Sequence, residues 1–188
     1  MVAEIDEELV DKLPDLPQHK KEELINEYKY QVYAEHNFKN ELGEIQNAHL
    51  PIDEESHGTR NTYIIGTLIH QALENGRTIL IDELDTSLHT NIVRTFVELF
   101  QSPMTNPKGA QLIFTTHDTN IMNQRYMRKD QIWLVEKDKN GVTDLYSLQD
   151  FPEAREDTPF EKWYLAGKFG GLPIIPSVEE IYADESEN

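Results

Sequence analysis

Thr78-Ile79-Leu80-Ile81-Asp82-Glu83-Leu84-Asp85-Thr86-Ser87-Leu88-His89 is the stretch whose reading decides the fold. Its opening apolar run is too brief for a helix, and a run without polar alternation suits a strand buried in a parallel sheet. The run stops abruptly at Asp82-Glu83, which places two carboxylates at the C-terminal end of the strand, the edge where open parallel sheets bind ligands. Upstream, Ile64, Ile65, Leu68, Ile69, Ala72 and Leu73 recur as one helical stripe of about four turns, with Asn75-Gly76 as its stop. Downstream, Ile92, Val93, Phe96, Val97 and Phe100 form a second stripe, closed by Ser102-Pro103 and a Pro-Lys-Gly loop. Leu112-Ile113-Phe114 is then a second buried-type strand, ending in Thr115-Thr116-His117-Asp118. A strand, helix, strand order implies a right-handed crossover, so both strands deliver acids and a histidine toward one sheet edge.

Farther out, Tyr28, Tyr30, Val32 and Ala34 alternate with polar or mixed residues as in a half-buried strand, and Asn40 to Gly43 offers a turn into a second one. Ile132 to Val135 and Val142 to Leu148 read as a hairpin whose Asn140-Gly141 corner suits a type I′ turn. Residues 1–27 are acidic, interrupted by Pro14 and Pro17 and weakly periodic, and read as a tether or surface segment. Residues 28–176 then form the folded lobe, and 177–188 an acidic tail.

Asp and Glu number 35 against 17 Lys and Arg, a formal charge of −18, which repels a phosphate backbone and argues against a broad nucleic-acid-binding face. The absence of Cys excludes disulfides, thiolate metal ligation and cysteine nucleophiles. No apolar stretch approaches the roughly 20 residues needed to span a bilayer, and the N-terminus lacks a basic start followed by an apolar run. A soluble, cytoplasmic protein is expected.

Asp82-Glu83 after an apolar strand is the Walker B pattern, in which the first carboxylate faces a nucleotide-bound Mg²⁺ and the second orients and activates water. Taken alone, an acid pair at a strand end is as readily a solvated terminus, and His117 alone reads as a capping or surface histidine. The continuation Leu84-Asp85-Thr86-Ser87-Leu88-His89 narrows the choice, because with Ile79 to Glu83 it resembles the Walker B and D-loop of ABC-class ATPases. Within that class it is similar to the AAA-type ATPases of the RloA-like or abortive-infection group associated with phage defence. Gln111 to Asp118 resembles the H-loop strand of the group, which implies that His117 contacts a γ-phosphate. Glu55-Ser56-His57-Gly58-Thr59-Arg60 resembles its signature loop, with Ser56 and Gly58 meeting the nucleotide of an opposite subunit. His57 departs from the small or acidic residue of that pattern, and the plain alternative for Ser56 is a helix N-cap. Gly167-Lys168-Phe169-Gly170-Gly171-Leu172-Pro173, after Tyr164-Leu165, resembles the C-terminal segment of the same group.

The resemblance implies an α/β fold, the C-terminal lobe of an ABC-type P-loop NTPase with a mainly parallel sheet, flanking helices and a β-hairpin. It implies ATP and Mg²⁺ as cofactors, Asp82 on the metal, Glu83 as general base, His117 at the γ-phosphate, and Asp85, Ser87 and His89 communicating across a dimer. No window of the chain satisfies G-x-x-x-x-G-K-S/T, whose backbone N–H groups and Lys cradle phosphates. Gly167-Lys168 instead suits a helix end. Two carboxylates without that cradle face an anionic nucleotide with little compensating charge, so weak ATP affinity is expected of the chain alone. The expected partners are therefore a phosphate-loop lobe or an intact homologous subunit, and a defence effector. Two further readings compete: a non-catalytic regulatory module that binds an intact ATPase or effector, and a metal-dependent phosphodiesterase using Asp82, Glu83, Asp85 and His117.

Overall fold

The computed structural model describes residues 2–4, 17–27, 30–155 and 157–173. The expected acidic tail at 177–188 and most of the expected tether lie outside them. The chain divides into two compact units, Met1–His70 and Gln71–Asn188. Among the described residues three short sheets and several helices make a mixed α/β protein.

In the first unit, β1 (Val2–Glu4), β2 (Tyr30–Lys39) and β3 (Ile45–Pro51) form an antiparallel sheet in the order β1-β2-β3. Val2 pairs with Val32, and Tyr33 with Pro51 at the far end of the second ladder. The turn between β2 and β3 is built on Asn40, whose side-chain oxygen accepts from the N–H groups of Leu42 and Glu44, each at 3.0 Å. Gly43 supplies the positive φ, +79°, that closes it. Helix α1 (Gln18–Glu27) and β1 both fall in the stretch read from sequence as a tether. A three-residue strand has no periodicity to read; its pairing with β2 defines it.

Helix α2 (His57–Asn75) carries the first apolar stripe. Ile69 and Ala72 are buried, whereas Ile64 and Leu68 are exposed together with Tyr63, so only the later part of the stripe meets a core. The helix ends as the Asn75-Gly76 pair predicts. Gly76 takes φ +61°, and Arg77 N–H reaches back to the Ala72 carbonyl at 3.0 Å, a bond of the Schellman type. A Cβ at Gly76 would stand 2.8 Å from the Lys108 carbonyl oxygen, so glycine is required there by contact as well as by φ.

The second unit contains β4 (Thr78–Ile81), α3 (Thr90–Gln101) and β5 (Gln111–Phe114). The two strands pair in parallel with Thr78 opposite Gln111 and Ile81 opposite Phe114. Among the described residues the expected mainly parallel sheet is this one pair; the other two sheets are antiparallel. Helix α3 buries Val93, Phe96 and Val97, the centre of its predicted stripe. Ile79 and Ile81 are half-buried, but Leu80 and its partner Ile113, on the opposite face, are 74% and 55% exposed.

Strands β6 (Trp133–Lys137) and β7 (Thr143–Ser147) form the predicted hairpin, with Trp133 opposite Ser147. Its corner differs from the type I′ expectation. Gly141 has φ +81° but Asn140 does not share a positive φ, Gly141 N–H bonds to the Asp138 carbonyl, and Asp138 N–H bonds to the Val142 carbonyl. This is a type I turn followed by a left-handed glycine. Asp138 selects it: its carboxylate accepts from Asn140 N–H and Val142 N–H, each at 2.8 Å. Those bonds, the one from Val142 first, hold the Asp138 carboxyl below the usual range.

A core of buried residues lies under this hairpin: Met122, Ile132, Leu134, Leu148, Ala154, Phe160 and Phe169, with Tyr146, Phe151, Trp163 and Tyr164 packed around it. Phe151 meets Phe169 edge-on at 5.0 Å between ring centroids. Helix α4 (Phe160–Leu165) ends in a full Schellman motif, with Gly167 at φ +72°, Gly167 N–H on the Tyr164 carbonyl and Lys168 N–H on the Trp163 carbonyl. Gly167-Lys168 therefore closes a helix, as expected, and the Lys168 ammonium lies 4.0 Å from the Trp163 ring centre.

The Tyr146 hydroxyl, 2.8 Å from the Phe169 carbonyl and 3.1 Å from a Glu136 carboxylate oxygen, ties the hairpin to this segment. Burial, reinforced by Glu136, pushes its pKa up to about 12. A phenol whose folded pKa lies above its unfolded value of about 10 stabilises the fold fully below pH ~10 and progressively less as pH rises toward 12. Urea titrations across that window should show a loss of stability in the wild type that is smaller in Tyr146→Phe.

Candidate nucleotide-site acids at the edge of the parallel pair

Beyond Ile81 the ladder cannot continue, because the chain turns sharply. Glu83 takes φ +51° and Ser87 φ +60°, a left-handed backbone that non-glycine residues rarely adopt and that costs of order 1–3 kcal/mol at each position. Between them Leu84 is fully buried and anchors the loop. Turn bonds from Thr86 N–H to the Glu83 carbonyl and from Leu88 N–H to the Asp85 carbonyl, both 2.9 Å, complete it. His89 then caps α3, its Nδ1 accepting from Asn91 N–H at 3.1 Å, which assigns the imidazole proton to Nε2 when the ring is neutral.

The neighbouring strand holds this loop from the side. Thr115 N–H donates to the Ile81 carbonyl at 3.1 Å, and the Thr115 carbonyl accepts from Leu84 N–H at 3.0 Å. The Thr115 hydroxyl accepts from Glu83 N–H at 2.7 Å and donates to the Asp82 carboxylate. One residue along, the Thr116 hydroxyl donates to Asp85 at 2.7 Å, and the same carboxylate oxygen accepts from His117 N–H at 3.2 Å. His117 Nε2 lies 3.9 Å from Glu83 Oε1, and Glu83 Oε2 accepts from the Thr86 hydroxyl at 3.1 Å. Asp118 caps the following turn by accepting from Asn120 N–H at 3.0 Å. Burial would raise the Asp118 pKa, but the hydrogen bonds from Asn120 and Thr90 and the charge of Arg94 outweigh it and lower the value.

Of the residues predicted from sequence, Asp82, Glu83, Asp85 and His117 are brought together at one end of the parallel pair. The side chains of Glu83 and His117 are largely open to solvent, 56% and 85% exposed, so their contact is a loose one. Ser87 and His89 lie in the loop leading into α3. Ser56 and Gly58 belong to the first unit, at the start of α2. There Ser56 acts as the N-cap: its hydroxyl accepts from Thr59 N–H at 3.1 Å. Glu55 pairs with His36 of β2, and the Arg60 guanidinium donates through Nη2 to His57 Nδ1 at 3.1 Å. Thr115 and Thr116 are contributors that no motif in the sequence singles out. The available signal was two hydroxyls ending a strand beside acids whose oxygens need donors.

Among the described residues no group of three or more His, Asp or Glu side chains forms a metal cage. The Asp82 carboxylate has the oxygen chemistry that Mg²⁺ delivered with a nucleotide takes, since that ion is commonly held by one or two carboxylates together with phosphate oxygens. Among the described residues, too, no helix is long and apolar enough to cross a membrane.

The match of a family model places the chain among AAA, P-loop-like ATPase domains, a kind that generally binds ATP and Mg²⁺. The chain belongs to the family described as "AAA domain, putative AbiEii toxin, Type IV TA system", whose model matches residues 7–123, well over half of its length. Comparison with curated proteins gives no match.

Proposed function

We propose that this chain is the C-terminal half of an ABC-class ATPase head of the RloA-like, abortive-infection kind, acting in cytoplasmic phage defence and completed for turnover by a phosphate-loop lobe from elsewhere. The observation that carries the reading is the convergence of Asp82, Glu83 and His117 at the end of a parallel strand pair in a chain without a phosphate loop. In the completed site Asp82 would hold Mg²⁺, which supplies charge neutralisation at the phosphates. Glu83 would take the proton of the attacking water as general base, and His117 would contact the γ-phosphate. Ser56 and Gly58, at the N-terminus of α2, would meet the nucleotide of an opposing head, where helix N–H groups favour an anion. Asp85, Ser87 and His89 would carry the D-loop contact between heads.

The exposed Leu80–Ile113 face supports the need for a second lobe, because parallel sheets are ordinarily covered on both faces. The same face also suits the rival reading, a regulatory module that binds an intact ATPase subunit without turnover. Both readings predict a complex, and sedimentation of the chain with a phosphate-loop lobe from an intact relative tests them together. The wild type should co-sediment with the lobe, and Leu80→Asp with Ile113→Asp should weaken the complex at least about tenfold, as expected for charges placed in an apolar contact. A wild-type chain that stays monomeric beside both the lobe and an intact subunit contradicts the proposal.

A further inference from the structure

Four successive residues, Ile81 to Leu84, are each hydrogen-bonded to a single residue, Thr115, which directly follows β5. Two of those bonds use its backbone and would survive any substitution. The other two use its hydroxyl, which accepts from Glu83 N–H and donates to the Asp82 carboxylate. The hydroxyl acts where the parallel ladder fails: Glu83 has turned to φ +51°, its N–H no longer faces a strand carbonyl, and a side chain takes over as acceptor. The same oxygen fixes one carboxylate oxygen of Asp82. Since a hydroxyl has one proton and two lone pairs, it can accept from Glu83 while donating to Asp82, which a methyl in its place cannot do.

We propose that Thr115 is a positioning residue that sets the aim of Asp82 and Glu83 relative to one another through this bridging hydroxyl. The proposal rests on the reading of these two acids as the reactive pair only for its catalytic consequence; the bridge itself is independent of it. Thr116 repeats the device one residue on, against Asp85, so the segment that leads from β5 to His117 is tied by two hydroxyls to the loop that carries the acids.

Amide hydrogen exchange by NMR on the full chain reads the bridge directly. In Thr115→Val the Glu83 amide should exchange about tenfold faster than in the wild type, while the Leu84 amide, bonded to the Thr115 backbone carbonyl, keeps its protection and reports that the loop is still folded. Thr115→Ser should hold Glu83 at its wild-type rate. Thr115→Ala serves in place of the valine variant if Leu84 loses protection. In the mixture with a phosphate-loop lobe, Thr115→Val should lower kcat by about 10–100-fold with KM for ATP unchanged, and Thr115→Ser should restore it. An unchanged Glu83 exchange rate in the valine and alanine variants, or a valine variant turning over at the wild-type kcat, overturns the proposal. A wild-type mixture with no turnover would count against the ATPase reading instead, and the exchange rates would still decide the bridge.

Discussion

Replacing Glu83 by Gln is expected to lower ATP turnover by the completed head at least about 100-fold while leaving Mg-ATP affinity near the wild-type value, because general-base catalysis is worth about 10²–10⁴-fold. The substitution is a mild one structurally. Glutamine keeps an oxygen to accept from the Thr86 hydroxyl and leaves untouched the backbone bond from Glu83 N–H to Thr115. What it removes is the ability to accept a proton from water. A loss confined to kcat therefore assigns the residue to the chemical step, whereas a parallel loss of binding would assign it to the metal or to folding. Single-turnover assays on the mixture of chain and phosphate-loop lobe separate the two. The regulatory reading predicts that the same variant associates with its partner and functions as the wild type does.

Phe169→Ala is the substitution expected to be most damaging to the fold, at about 3–5 kcal/mol, the range for deleting a buried phenyl ring. Phe169 is 2% exposed and touches three sets of structure at once. Its ring meets Phe151 edge-on and lies 5.8 Å from the Trp163 ring centre, and its carbonyl accepts from the Tyr146 hydroxyl on β7. The glycines that follow are held by the same contacts. Gly170, at φ +73°, lies so close to the Tyr146 hydroxyl that a Cβ there would stand 2.6 Å from it, so glycine is required at this position. A loss of that size is a large share of the 5–15 kcal/mol by which domains are ordinarily stable. Urea denaturation should show the midpoint falling sharply, and Phe169→Leu, which leaves a smaller void, should recover part of the loss.

What the sequence makes legible is the part governed by local pattern. The runs Thr78–Ile81 and Gln111–Phe114 are short, apolar and ended by polar residues, and they are strands; Val93, Phe96 and Val97 share a helical face, and that face is buried. The acids and His117 follow from the strand ends. Less legible are features set by contacts distant in sequence. Nothing in Val2-Ala3-Glu4 announces a strand until β2 offers its edge. The periodicity of Ile64 and Leu68 equals that of Ile69 and Ala72, yet only the second pair is buried, because a stripe declares a face and not how much of it finds a neighbour. At Asn140-Gly141 the dipeptide points to one turn type, and the Asp138 carboxylate two residues earlier selects another. The bridging hydroxyl of Thr115 is of the same kind: it joins positions 32 and 33 residues apart that only the parallel register places side by side.

Calorimetric titration of Mg-ATP into the chain, first alone and then mixed with a phosphate-loop lobe from an intact relative, tests most directly the claim that this chain supplies the acids of a nucleotide site but not its phosphate cradle. The account predicts little or no heat from the chain alone, and saturable binding that exceeds what the lobe gives by itself once the two are combined. Tight binding by the isolated chain, or a mixture that binds no better than the lobe alone, would contradict it.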